Sequence, residues 1–165
     1  MNANDLKIGE TADAFVITAV GRANFEYAVP IRELVNSNEG RKTIRVDLKE
    51  CTAMDSTFMG VLSMLALKLR KRGDRVMLVG ASSTLLKLLR DLGVAKLFNC
   101  VDESDSNGGV RIADGNSAPA SLLTTAETVA EAHKALVSAD ESNAEKFKAV
   151  IDFADQDVAR LKEQQ

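Results

Sequence analysis

VDLKECTAMDSTFMGVLSML, residues 46–65, changes from strand to helix chemistry within a few residues. "TIRVDL" (43–48) is β-branched and alternating, which predicts a strand ending near Leu48. A short loop is expected from Cys51 to Met54. Between Ser56 and Gly73, the residues Phe58, Met59, Val61, Leu62, Leu65, Ala66 and Leu69 recur at helical spacing. Lys68, Arg70, Lys71 and Arg72 precede Gly73, so this basic cluster reads as a solvated helix end matched to the dipole rather than as a ligand site. Asp55, Ser56 and Thr57 then stand at a helix N-terminus, where backbone N–H groups lack partners. One residue suffices as a cap, so three polar residues in a row allow capping and still leave a hydroxyl toward solvent. A phosphate there would add about −1.5 to −2 charges where the helix dipole tolerates them best. Simple capping and a phosphorylation switch both fit these residues.

Outward from this segment, "DLKIG", "ETAD" and "AFVITAV" (5–20) predict a hairpin whose second strand ends at Gly21. Phe25, Ala28, Val29, Leu34 and Val35 predict a helix from about Asn24 to Asn36, with Asn24 as cap and Pro30 early enough to be accommodated. "RVMLVGA" (75–81) is a strand apolar enough to be buried on both faces. "SSTLLKLLRDLGV" (82–94) is a hydroxyl-capped helix, and "KLFNCV" (96–101) is a short final strand. Such alternation predicts an α/β fold. "DESDSNGGVRIADGNSAP" (102–119) reads as a linker or irregular surface segment. Two further helices follow, one through Leu122, Ala126, Val129, Ala130 and Leu136, the other through Phe147, Val150, Ile151, Ala154 and Val158, with Asp140 or Ser142 as a cap between them. From Ala118 onward five Lys/Arg face nine Asp/Glu, whereas the preceding part holds sixteen against fifteen. The expected organisation is a domain over 1–115 and an acidic helical extension over 116–165, whose role is to cover apolar core surface or to dimerise.

The 165 residues suit one domain with an extension, and a formal charge of −3 gives no general attraction to nucleic acid or acidic membranes. The first residues carry no basic and apolar leader, and no apolar run is long enough to span a bilayer, so a cytoplasmic protein without a membrane anchor is expected. Cys51 and Cys100 form neither a CxxC nor a disulfide framework and read as small core or near-core residues. A single histidine, His133, excludes a zinc site built on several imidazoles; no metal and no cofactor is expected. GxGxxG, GxxxxGK[ST] and GxSxG are absent. A Ser-His-Asp triad could use only His133, which lies in the helical tail, and a triad needs a positioned base rather than a spare imidazole.

The segment 46–65, together with "GRANFE" (21–26) and "VMLVGASSTLLKLLRDLGVAKLF" (76–98), resembles the STAS domain of anti-sigma factor antagonists over roughly residues 5–103. The resemblance rests on a strand followed by D-S-[ST]-x-x-G leading into a helix. It implies a small mixed β-sheet covered by helices. It also implies a non-catalytic partner-switching module that binds an anti-sigma factor serine kinase when unmodified, is released by phosphorylation, and is restored by a PP2C-type phosphatase. Carried over, the phosphorylated residue is Ser56, with Thr57 as a secondary candidate, Asp55 as the family acid and Gly60 as its glycine. Asn24 stands where many members have Asp, and Phe58 replaces a small residue. Partner contacts are expected at Asn24, Asp55, Ser56, Thr57, Phe58 and Met59, although Phe58 and Met59 also fit a core role.

Two other classes compete with this reading. The chain could be a constitutive scaffold that dimerises through its C-terminal helices, or a soluble subunit of a lipid-transport system. A small enzyme using Ser56 as nucleophile is disfavoured, because the motif holds no base to activate it.

Overall fold

The computed structural model describes residues 4–38, 42–102, 111–114 and 120–164. β1 (Asp5–Glu10) and β2 (Ala14–Ala23) form the expected antiparallel hairpin, Asp5 opposite Val20 and Glu10 opposite Phe15. β2 does not stop at Gly21. The pairing shifts between Gly21 and Arg22, Gly21 adopts a positive φ of 78°, and the strand continues to Ala23. Glycine tolerates that conformation without Cβ strain. The continuation pairs in parallel with Cys51–Met54, which is therefore strand β4 rather than the expected loop. Its hydrogen-bonding partner, the far end of β2, lies 28 or more positions away, so local composition could not reveal it.

β3 (Thr43–Asp47) buries Ile44 and Val46 and lies parallel to β2. β5 (Val76–Val79) and β6 (Phe98–Val101) extend the parallel half. A 3-10 turn at Ala95–Leu97 takes the first part of the stretch expected as the last strand. That strand is not final. Arg111–Asp114, inside the expected linker, forms β7 and pairs antiparallel with the open edge of β1, Lys7 opposite Asp114. The spatial order is β6-β5-β3-β2-β1-β7, a mixed sheet. The boundary expected between residues 115 and 116 lies outside the described residues.

α1 (Phe25–Asn38) and α2 (Ser56–Arg70) pack on each other, and α3 (Ser83–Asp91) is capped by the Ser82 side chain at Leu85 N. Phe58, Leu62, Leu65 and Leu69 of α2 are buried in a core shared with Ile17, Val46 and Leu78 of the sheet. Each such side chain is worth about 1.5–3 kcal/mol of transfer free energy. Cys51 belongs to this core and burial raises its thiol pKa, so the thiolate needed for reactivity is disfavoured. Cys100 is exposed on β6, not near-core as its isolation in sequence suggested.

The extension consists of α4 (Leu122–Ala139) and α5 (Asn143–Glu163). α4 lies across α2 and α1, and α5 packs along α4. Ala132 and Leu136 of α4 are fully buried in the same core cluster as the sheet. A Cβ added at Gly60 would overlap the backbone carbonyl of Ala132, so α2 and α4 meet backbone to backbone. Asn143 fixes the turn between α4 and α5, its amide donating to Leu92 O at 2.8 Å and Leu136 O at 2.9 Å. Asp140 Oδ1 accepts from Ser142 N and Oγ, and these bonds lower its carboxyl pKa. Asp140, not Ser142, thus supplies the side-chain acceptor in this turn. Gly60→Ala is expected to cost about 1–3 kcal/mol, because only a backbone shift of α4 relieves the overlap. Urea denaturation measures it, and an unchanged midpoint would mean that α4 is not seated there.

Candidate functional site

The corner where β2, β4, α1 and α2 meet is fixed by two capped helix starts. Asn24 Oδ1 accepts from Glu26 N at 2.9 Å, and its carbonyl accepts from Tyr27 N and Ala28 N, which closes the first turn of α1. Asp55 has extended backbone (φ −92°, ψ 174°), and its carboxylate accepts from Phe58 N at 2.8 Å. Asp55 N donates to Ala23 O at 3.0 Å, tying the two starts together. The capping that Asp55, Ser56 and Thr57 could share is done by Asp55. Ser56, the first residue of α2, keeps its hydroxyl for another partner.

That partner is the lone histidine. Ser56 Oγ lies 2.8 Å from His133 Nε2, and His133 Nδ1 lies 2.8 Å from Val129 O. A carbonyl only accepts, so in the neutral ring Nδ1 carries the proton and Nε2 accepts the Ser56 hydroxyl hydrogen. The ring is 2% exposed and meets Phe147 of α5 edge-on at 5.0 Å. Ser56 itself is half-buried. Thr57, Phe58 and Met59 are buried, and Phe58 packs edge-on with Tyr27 at 6.5 Å. Of the residues proposed for partner contact, Asn24, Asp55 and Ser56 keep some exposure. The sequence reading sets His133 aside as a spare imidazole and does not place it beside Ser56. Its only signal was that a histidine stood among small and apolar residues on the inner face of a predicted helix.

A second contact holds α4 on this corner. Arg32 of α1 donates from Nε to Glu131 Oε1 at 3.0 Å and from a terminal nitrogen to Oε2 at 2.6 Å, with Glu127 at 3.9 Å. The Glu131 hydrogen bond is the main cause of a raised Arg32 pKa, and burial opposes it. Glu131 remains partly exposed, so solvent screening limits the pair to roughly 1 kcal/mol.

A hydroxyl on an imidazole nitrogen, with the other nitrogen held by an acceptor, has the hydrogen-bond order of a nucleophile and its base. Here the base is supplied from α4, outside the motif. Yet the ring is enclosed, and a cavity of about 550 Å³ lies at the far end of α2, lined by Arg70, Arg75, Lys96 and Ser138. Among the described residues no His, Cys, Asp and Glu cluster could hold a metal ion, and no helix is long and apolar enough to cross a membrane.

A family model described as "Mlab, STAS domain" matches residues 6–99, more than half of the chain. The chain belongs to the STAS domain family. The structure of the anti-sigma factor antagonist SpoIIAA in its unphosphorylated form is similar, at 20% identity and a TM-score of 0.52, covering 62% of this chain and 90% of that one. The phosphorylated form of the Bacillus cell fate determinant SpoIIAA aligns at 21% identity and a TM-score of 0.50, covering 62% and 93%. A Thermotoga maritima protein aligns at 17% identity and a TM-score of 0.51, covering 59% and 85%. None of the curated proteins matches this sequence. At these identities the structural likeness establishes the fold, and the family match ends before α4.

Asp55→Ala is expected to destabilise the protein by about 1 kcal/mol through loss of the cap, measured by chemical denaturation. With one histidine, nitrogen-15 spectra of the imidazole are unambiguous. For the neutral ring they should show a proton on Nδ1 and none on Nε2, and Ser56→Ala should move the Nε2 signal. A proton on Nε2 would contradict the assigned hydrogen-bond direction.

Proposed function

We propose that this chain is a partner-switching module of the anti-sigma factor antagonist type. Unmodified, it binds an anti-sigma factor serine kinase; phosphorylation at Ser56 ends that association, and a PP2C-type phosphatase restores it. The observation that carries this reading is the division of labour at the start of α2. Asp55 does the capping, which leaves Ser56 Oγ out of the cap at a half-buried corner, bonded, among the described residues, only to the His133 ring. Phosphate on Ser56 would sit at the positive end of α2, so the sheet and the start of α2 would keep their structure while the charge of the corner changed. SpoIIAA, whose fold this chain shares, has been solved in both unphosphorylated and phosphorylated forms, and the same modification is carried here to Ser56. Thr57 is a weaker acceptor because it is 6% exposed.

A second reading makes the chain a constitutive STAS scaffold, in the manner of a soluble subunit of a lipid-transport system. The seating of α4 over the corner favours it. Incubation with the cognate GHKL-type kinase and ATP, followed by mass spectrometry, separates the two. The switch requires one phosphate on Ser56, none on Ser56→Ala, and at least about tenfold weaker kinase binding by the phosphorylated protein. Phosphate found only at other residues would leave the scaffold reading in place.

A further inference from the structure

Three consecutive residues of α4 make three different contacts with the corner. Glu131 binds Arg32 of α1, the backbone of Ala132 presses on Gly60 of α2, and His133 accepts the Ser56 hydroxyl. Consecutive helical residues point about 100° apart, so the tripeptide spans the inner face of α4, and the contact of the Ala132 backbone with Gly60 cannot be broken by a side-chain rotation that leaves the helix in place. Resting on Ser56 as the phosphoacceptor, we propose that the α4–α5 hairpin is an intrachain cover for that hydroxyl. It leaves the α1/α2 face before phosphoryl transfer, and the phosphoserine keeps it off.

The transfer step sets the geometry. Ser56 Oγ forms a bond to the γ-phosphorus of ATP held by the kinase. The bond from that phosphorus to the ADP oxygen breaks with its electron pair left on ADP, and the hydroxyl proton passes to a base of the kinase. In the covered state the same proton is directed into His133 Nε2 at 2.8 Å, and the ring blocks that side of the oxygen. The product fits the covered state no better. A phosphorus with three oxygens has no room within a 2.8 Å contact, and the wall behind it is the Phe147 ring. Release of α4 uncovers Gly60 and the Arg32 guanidinium, a glycine seat edged by positive charge. A partner helix with small residues and a carboxylate would fit it in the way α4 does.

The test uses the full chain with phosphoserine installed biosynthetically at position 56, so that no kinase is needed. Amide hydrogen exchange across residues 122–139 should be at least about tenfold faster than in the unmodified chain, with β3 and β5 unchanged. Equal protection of α4 in the two forms would overturn the cover, because the phosphate would then have found a place in the closed chain. In a second arm His133→Ala, its fold checked by circular dichroism, should be phosphorylated by the cognate kinase several-fold faster than the parent, and an equal rate also overturns the cover. If neither protein takes phosphate on Ser56, the phosphoacceptor assignment fails and the cover's role with it. Phosphate on Ser56 with unchanged α4 protection rejects the cover alone.

Discussion

The backbones of α2 and α4 touch at Gly60 and Ala132, and the arrangement of the C-terminal half depends on that contact. Any side chain at residue 60 would hold the helices apart. The separation would carry Ala132 and Leu136 out of the core they share with the sheet. It would also pull His133 from Ser56 and Glu131 from Arg32. Hydrogen bonds are steep functions of distance, so a displacement too small to change the fold would undo both. The glycine that the family pattern places after the hydroxyl pair therefore has a packing role here, whatever its role elsewhere.

The same corner joins the two halves of the sheet. β2 changes partners at the Gly21 bulge, from β3 to β4, and the chain leaving β4 caps α2 through Asp55. Asp55 N also bonds Ala23 O, one residue before the Asn24 that caps α1. Two helix starts, a strand end and a bulge are thus held by a handful of hydrogen bonds. The backbone of this corner is held by bonds that do not involve the Ser56 hydroxyl. The hairpin adds a second element with two possible positions over an otherwise fixed surface.

Much of this was legible in the residues themselves. The spacing of Phe58, Leu62, Leu65 and Leu69 gave α2, alternation in "TIRVDL" gave β3, and Asp55 and Ser82 announced their helices by chemistry that acts over three residues. Asn24 was recognisable as a cap for the same reason. The failures share a cause as well. β4 reads as a loop and β7 as part of a linker because neither has the continuous apolar run that marks the equally short β5. Each is held by an edge supplied from elsewhere in the chain, β2 for one and β1 for the other. Cys100 was misplaced because exposure depends on where β6 lies in the sheet, not on the residue type.

By itself the sequence determined the elements whose stabilising interactions are local: caps, helical apolar stripes, the hairpin, and the run of polar groups at 55–57. It also set the composition of the acidic tail. Only the tertiary structure decided what that tail covers. Ser56 and His133 are 77 residues apart, and Arg32 and Glu131 are 99 apart. Nothing in the neighbourhood of either residue encodes the other, because these contacts follow from the close approach of α2 and α4 and from the turn that Asn143 fixes. A hydroxyl that local chemistry left spare became a bonded, half-covered one through packing at long range.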